Sequence, residues 1–211
     1  RPPAAYTAGD VWDMRAVHAK GVSFNPDPDW QETPVWHYLY KVGNPGTAHD
    51  GDYERCPTCA NQTPYTGPLA HFSPLKVEGF TNNYGWICRR KPETDAESSR
   101  WQLVFRPRVQ VMLVLAWESP VRGQVAVQAT VCPVEGKDGI TLGIEHSNPH
   151  RELLRKVYNV GEGGEIELVE IPVTPGDRLY FVADALPGGD GSSLTFDRLE
   201  IRLTATSVLS D

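Results

Sequence analysis

The sequence lacks a long hydrophobic run and an excess of positive charge. Its longest apolar stretch, 109–117, is interrupted by Gln110 and falls far short of the roughly 20 residues that a membrane-spanning helix needs. Lys and Arg number 20 against 27 Asp and Glu, so the net charge is −7. An acidic chain does not attract nucleic-acid phosphates, and the sequence has no basic amphipathic segment suited to a membrane surface. We therefore expect neither a nucleic acid nor a membrane as a partner.

The sequence also lacks the fingerprints of common enzyme classes. It contains no G-x-S-x-G, P-loop, G-x-G-x-x-G or H-E-x-x-H motif. A polysaccharide lyase would need a Tyr or His as base and acid and a cation beside the uronate, roles open to His37, Tyr38 and Arg106. Their spacing does not single them out. The sequence therefore favours a domain without catalytic activity, with a small β-sandwich lyase or glycoside hydrolase as an alternative.

Short strand-like segments separated by Gly and Pro turns fill the second half of the chain. The segment 124–132 alternates apolar and polar residues, which predicts a strand with one buried face. The apolar stretch 111–116 predicts a strand covered on both faces. The segment 165–173 changes phase near Leu168, which predicts a β-bulge. The spacing of the apolar residues in 150–158 fits one or two helical turns.

This pattern predicts an all-β fold, a jelly-roll β-sandwich. Most of the 18 prolines lie before residue 100, where regular apolar patterns are few. We therefore expect a single domain over 1–211. About 43–98 would form a long Pro-rich, Cys-bearing insertion in it.

Three segments resemble accessory jelly-roll domains, akin to carbohydrate-binding modules, of secreted bacterial polysaccharide-degrading enzymes. They are 117–127 (WESPVRGQVAV), 174–184 (TPGDRLYFVAD) and 35–40 (VWHYLY), the last preceded by Asn25-Pro26. The resemblance implies non-catalytic binding of a polysaccharide and a covalently linked catalytic domain. It also implies a secreted or periplasmic protein, and the start at Arg1, without an initiator Met, is expected of a processed protein or an excised domain. A structural or interaction domain is a further alternative.

The aromatic residues fall into two groups. A period of two places Trp36, Tyr38 and Tyr40 on one face of a strand, which we interpret as part of the core, although three rings on one face would also make a sugar platform. Other aromatics lie in or near irregular polar sequence, where a core explains them less well. We expect these to bind carbohydrate by stacking: Trp86, Trp30, Tyr84 and Trp101.

The four cysteines predict either disulfide bonds or a zinc site. Cys56 and Cys59 are spaced as in a zinc knuckle, but Cys88 and Cys132 do not form the second close pair that such a site usually has. His71 is an alternative ligand. Export would favour disulfides, for which four cysteines allow three connectivities. We expect disulfides, with zinc as the alternative.

The acidic loop 184–197 is dense in the oxygen donors that calcium prefers. Counting by twos from Leu199 places Asp197 on the inward face of the last strand, where a carboxylate needs a cation or a hydrogen-bond partner. The resemblance implies a structural calcium ion, for which Asp197, Asp184 and Asp190 are candidate ligands. The alternative is a turn in which Asp197 bonds to backbone N–H groups.

Overall fold

The computed structural model describes residues 6–14, 35–43, 51–55, 71–72, 86–90, 102–108, 111–187 and 191–206, with the backbone alone for 55, 71–72 and 86–90. No helix among these residues is long and apolar enough to span a membrane. Within the described residues the chain forms thirteen strands, which in order are β1 (Val11–Asp13), β2 (Trp36–Val42), β3 (Glu54–Arg55), β4 (His71–Phe72), β5 (Trp86–Arg90), β6 (Gln102–Arg106), β7 (Val111–Glu118), β8 (Gly123–Val131), β9 (Ile140–Ser147), β10 (His150–Tyr158), β11 (Gly164–Val173), β12 (Arg178–Ala185) and β13 (Leu194–Thr206).

The strands pair into two antiparallel sheets. The first sheet has the order β11-β8-β13-β6-β5-β4, with β1 paired to the C-terminal half of β13. The second sheet has the order β10-β9-β12-β7-β2-β3. From β6 onward the chain crosses between the sheets at every step except β9 to β10. The strand orders β6-β13-β8-β11 and β7-β12-β9-β10 are those of a jelly roll, so the predicted β-sandwich is confirmed.

Side chains from the facing sides of the two sheets form the main core. Strand β7 is apolar throughout because both of its faces are covered. Leu113 and Leu115 pack in the main core. Met112 and Val114 belong to a second apolar cluster on the outer face of the second sheet. All four side chains are fully buried. The prediction of a strand covered on both faces is therefore confirmed.

The aromatic face of β2 also belongs to the main core. Trp36 and Tyr38 are each 2% exposed, and the half-buried Tyr40 packs against the same core. The hydroxyl of Tyr40 donates to a carboxylate oxygen of Glu54 at 2.7 Å. The interpretation of these rings as core residues is confirmed.

In two strands, β10 and β11, the pairing register shifts part-way along the strand. The pairing of β11 with β8 shifts register between Leu168 and Ile171, which confirms the predicted bulge. The helical turns expected over 150–158 are wrong, because these residues form β10. A register shift between Glu152 and Leu154 lets the adjacent Leu153 and Leu154 both contact the core, which imitates helical spacing.

Candidate functional site

The outer face of the second sheet carries polar and aromatic side chains at one end. Arg178 on β12 is opposite Glu118 on β7, and Tyr180 is opposite Glu145 on β9. Positions two apart on a strand share a face, so these residues lie on the same side of the sheet as the second apolar cluster. Tyr53 and His150 join them at the β9–β10 end. We call the outer-face strip the side chains of Tyr53, Glu118, Glu145, His150, Arg178 and Tyr180.

Glu145 holds two members of the strip in place. Its side chain is 0% exposed, and its Oε2 accepts a hydrogen bond from the Tyr53 hydroxyl at 2.8 Å. The Nε2 of His150 lies 3.1 Å from the same oxygen. A buried carboxylate is tolerated only with such partners, so Glu145 fixes the orientation of both rings.

The segment 51–55 closes over this end of the sheet. The ring of Tyr53 meets the ring of Tyr180 edge-on, with centroids 4.9 Å apart and an interplanar angle of 63°. Gly51 has a φ of 75°, and a Cβ there would lie 3.0 Å from Cδ2 of His150. Glycine at this position therefore allows the backbone to approach the imidazole closely.

A second polar group continues the strip toward β7. Oε2 of Glu118 accepts hydrogen bonds from Nε and Nη2 of Arg178 at 2.9 and 2.7 Å, and Nε2 of His37 lies 3.4 Å away. Burial acts to lower the pKa of the Arg178 guanidinium, but the hydrogen bonds and charge of Glu118, with a smaller contribution from Tyr180, raise it above its ordinary value. Arg178 therefore stays cationic.

The strip combines buried supports with accessible polar groups. The side chains of His150, Arg178 and Glu118 are 34%, 39% and 33% exposed, whereas Glu145 beneath them is inaccessible. The exposed imidazole, guanidinium and carboxylate are hydrogen-bonding groups fixed by their neighbours, and the half-buried Tyr53 adds an aromatic ring. Such a set suits a ligand with many hydroxyl groups.

The predicted stacking residues lie elsewhere or outside the described residues. Trp30, Tyr84 and Trp101 are outside them. Trp86 was expected in irregular sequence, which is wrong: it begins β5 in the first sheet, opposite Arg106. The short β-prone run Trp86-Ile87-Cys88 completes the edge of β6 despite the Asn- and Gly-rich residues before it. The role of these four residues in binding stays a prediction.

The three predicted calcium ligands are not brought together where they are described. Asp184 is buried on the outer face of the second sheet, opposite Thr141. Asp197 is in the first sheet, and its predicted inward orientation is wrong. A register shift between Phe196 and Arg198 places Phe196 in the core instead.

The half-buried Asp197 has a polar side chain beside it. Its Oδ1 lies 3.5 Å from the donor Nε2 of Gln102. Among the described residues, which exclude Asp190, no group of three His, Cys, Asp or Glu side chains is arranged to hold a metal ion. The calcium site stays a prediction.

Two of the four cysteines lie among the described residues and two lie outside them. Cys56 and Cys59 lie outside the described residues, and Cys88 is in β5. Cys132 follows β8, and its sulfur accepts a hydrogen bond from Nε2 of Gln102 at 3.7 Å. The expected disulfides stay a prediction.

The structure separates the three residues considered for a lyase. His37 and Tyr38 are neighbours on β2 and therefore face opposite sides of the second sheet, Tyr38 toward the main core. Arg106 ends β6 in the first sheet. They do not form one catalytic group.

Sequence reasoning missed the outer-face strip. Its members come from four strands and the segment before β3, and only strand register brings them together. One signal was available in the segment 139–145, most of which lies in β9. There Glu145 follows Thr141 and Gly143 on one face, a carboxylate in an otherwise weakly polar row.

No protein-family model matches the sequence, and no curated protein matches it. The chain is similar to solved carbohydrate-binding modules. A family 61 module in complex with β-1,4-galactotriose is 15% identical with a TM-score of 0.40, covering 64% of this chain and 88% of that chain. A family 29 module complexed with mannohexaose is 12% identical with a TM-score of 0.34, covering 82% of this chain and 95% of that chain.

An enzyme is also among the similar structures. The arabinose-bound α-L-arabinofuranosidase of family GH51 is 12% identical with a TM-score of 0.36, covering 55% of this chain and 21% of that chain. Identities and TM-scores this low do not identify the ligand of this chain.

Proposed function

We propose that this chain is a non-catalytic carbohydrate-binding domain and that its ligand lies on the outer-face strip. The observation that carries the proposal is the buried Glu145, which fixes the Tyr53 hydroxyl and the His150 imidazole from below. Preorganised polar groups beside an aromatic ring reduce the entropy lost when a flexible ligand is bound. Sugars present both hydroxyl groups and apolar ring faces, which match these two kinds of side chain.

The burial of Glu145 favours binding over catalysis. A general acid or base must reach the proton that it transfers, directly or through one water. Glu145 is 0% exposed beneath Tyr53 and His150, so a ligand on the strip does not touch it. Its role is to position the two rings.

The experiment compares two similar arginines on opposite sides of the molecule. Arg178 pairs with Glu118 at 2.7 Å on the strip, and Arg198 pairs with Glu200 at 2.8 Å on the first sheet; the two arginine side chains are 39% and 36% exposed. Glycan arrays select a ligand, with β-1,4-galactotriose and mannohexaose among the probes, and calorimetry then measures its Kd. We expect Arg178→Ala to weaken binding about tenfold, which corresponds to about 1.4 kcal/mol. Arg198→Ala should bind like the wild type.

Two other results would contradict either the location of the site or the binding function. If both arginine variants bind normally while Trp86→Ala abolishes binding, the ligand lies on the first sheet and the strip is not the site. If no glycan binds, or if the chain releases new reducing ends from a polysaccharide, the binding function itself is wrong.

The proposal extends to the class of ligand, the neighbouring domain and the location of the protein. We infer a polysaccharide ligand, a covalently linked catalytic domain and export from the cytoplasm, all of which are supported by the sequence resemblance. The coding sequence on either side of this chain tests the last two, because a neighbouring polysaccharide-active domain and an export signal are both readable there.

A further inference from the structure

One side of the sandwich is bounded by two long edge strands, β10 and β11. Strand β10 is the last strand of the second sheet, beside β9, and β11 is the last strand of the first sheet, beside β8. The short connection 159–163 joins them, so they lie one above the other and run in opposite directions. We call this surface the β10–β11 side. An edge strand presents a row of N–H and C=O groups with which a further strand can pair.

The two edges carry charges of opposite sign. Strand β10 has three exposed basic residues and one exposed acidic residue, which are Arg151, Arg155, Lys156 and Glu152. Strand β11 has three exposed acidic residues and no basic residue, the acidic ones being Glu165, Glu167 and Glu170. Glu152 lies 3.6 Å from Arg155 and offsets one positive charge, so β10 keeps an excess of positive charge. Each edge is therefore complementary in charge to the other edge on a second copy of the chain.

The same side also carries exposed apolar residues. In the described part of the chain five large apolar side chains are exposed, and three of them are Val157 on β10, Val160 in the connection and Val169 on β11. These three are 48%, 45% and 60% exposed. A partner on this side would bury apolar surface as well as pair charges.

Two-fold symmetry can join two copies at this side in two ways. An axis perpendicular to the sheets puts β10 against β10 and β11 against β11, so like charges meet. An axis parallel to the strands puts β10 of each copy against β11 of the other, in antiparallel orientation, so opposite charges meet. Opposite charges on neighbouring strands stabilise the pair and like charges destabilise it. The charges therefore favour the axis parallel to the strands.

The bulges in the two strands agree with this arrangement. Strand β10 shifts register before Leu154 and β11 shifts register after Leu168, which leaves 154–158 and 164–168 in regular pairing. Both regular segments adjoin the connection between the strands, so they lie at the same end of the molecule. The axis parallel to the strands therefore sets the regular half of β10 beside the regular half of β11.

We propose that a second copy of this chain covers the β10–β11 side in a symmetric dimer, with β10 of each copy beside β11 of the other. Arg155 is in register with Val182 of the second apolar cluster, so it lies on the outer face of the second sheet. Glu167 alternates with Ile166 and Leu168, which contact the main core, so it lies on the outer face of the first sheet. The dimer joins these two outer faces and brings Arg155 of one copy near Glu167 of the other, twice per dimer.

The size of the β10–β11 side fits a weak dimer. Nine residues of strand extend about 30 Å, and two sheets about 10 Å apart make a side about 20 Å wide once their side chains are included. Such a contact buries roughly 600 Å² on each copy, which is at the lower end for specific interfaces. We therefore expect a dissociation constant in the micromolar range.

A charge swap tests the arrangement. Arg155→Glu places two carboxylates together at both symmetric contacts, and Glu167→Lys places two cations there. Because each change acts twice, each variant alone should dimerise about tenfold more weakly than the wild type in sedimentation equilibrium. An equimolar mixture of the two variants should form a heterodimer of wild-type strength, because both of its contacts then join opposite charges. The control Arg202→Glu changes the net charge as Arg155→Glu does, at an exposed position on β13 two strands from β11, and should dimerise like the wild type.

Three results of sedimentation would overturn the proposal. The first is a wild-type chain that stays monomeric up to about 1 mM. The second is a mixture of the two variants that associates no better than either variant alone. The third is a heterodimer of Arg155→Glu with the wild type that is tighter than the wild-type dimer, because it would show that β10 meets β10.

A further measurement uses the wild-type chain and does not depend on the folding of a variant. Hydrogen exchange is read by peptide mass spectrometry at concentrations above and below the dissociation constant. Dimer formation should slow the exchange of backbone amides in 154–158 and 164–168. Exchange that slows only in other peptides would place the interface elsewhere and overturn the proposal.

Discussion

Glu145 shows how a single buried carboxylate organises a surface. Hydrogen bonds to charged groups contribute about 1.5–3 kcal/mol, more than bonds between neutral groups. Both rings that contact Glu145 come from other segments, Tyr53 from before β3 and His150 from β10. The carboxylate on β9 therefore links the edge strand β10 to the segment before β3, the strand at the opposite edge of the second sheet. The site depends on it although a ligand cannot reach it.

Tyr158 gives the first prediction at this scale. Its ring is fully buried in the main core, and among the described residues no group pairs with its hydroxyl. A buried hydroxyl without a partner costs about 1–3 kcal/mol. We expect Tyr158→Phe to raise the free energy of unfolding by about 1 kcal/mol, measured by urea denaturation at pH 7. The Lys156 ammonium, 4.5 Å from the ring centroid, would keep its aromatic partner.

Tyr158→Phe should also change how the free energy of unfolding depends on pH above pH 10. Burial raises the pKa of the Tyr158 phenol above its ordinary value of 10.0. Above pH 10 the phenol ionises in the unfolded chain but not in the folded one, so the unfolded state binds fewer protons and stability falls as pH rises. Tyr158→Phe removes this contribution, so its advantage over the wild type should grow above pH 10. An advantage that is constant with pH would contradict the assignment.

At the scale of the strand, the sequence predicts alternation well and phase less well. The faces of β2 and β8 follow from their period of two, and the change of phase near Leu168 reveals the bulge in β11. The bulge in β13 was missed because Asp197 does not interrupt an apolar run. Counting positions by twos back from Leu199 therefore assigned Asp197 to the inward face, although the register shifts there. The strand β10 was missed because its register shift places two adjacent leucines against the core.

The bulge in β11 gives a prediction for an element. Glu170 lies within it at a φ of 54°, a left-handed conformation that costs a residue with a side chain about 1–2 kcal/mol. Glycine adopts this conformation without strain but loses more backbone entropy on folding. We expect Glu170→Gly to stabilise the chain by about 0.5–1 kcal/mol in thermal and urea denaturation.

Glu167 is the matched control for Glu170. It is exposed in the same strand but paired in register with Gln128, in regular extended backbone. Glu167→Gly should therefore destabilise the chain by about 0.5–1 kcal/mol. If both glycine variants lose stability equally, the conformation of Glu170 is not strained.

At the scale of the whole molecule, the two sheets separate what lies side by side in the sequence and join what lies far apart. The fold class followed from strand spacing and turn residues, which are local features. The outer-face strip did not follow, because Tyr53 and Glu145 are brought together only by the order β10-β9-β12-β7-β2-β3. Alternation along a single strand, in contrast, is local, and it puts the adjacent residues His37 and Tyr38 on opposite faces of the second sheet.

The charge of the whole molecule gives the last prediction. The net charge is −7, and each basic group of the strip already faces a carboxylate, Arg178 at Glu118 and His150 at Glu145. A polyanion therefore meets long-range repulsion without an excess of positive charge at the site. We expect neutral polysaccharides to bind more tightly than uronate-rich ones.

Polygalacturonate and its methyl ester make a matched pair of probes, since they share a backbone and differ in charge. If the chain binds this backbone, the Kd of the ester should hardly change between about 0.01 and about 0.1 M salt. Over this range the Debye length falls from about 30 to about 10 Å. Binding of the charged polymer should be weaker and should improve as salt screens the repulsion. Calorimetry at the two salt concentrations measures both. Tighter binding of the charged polymer, weakened by salt, would reverse the sign of the interaction and show that positive charge at the site outweighs the charge of the molecule.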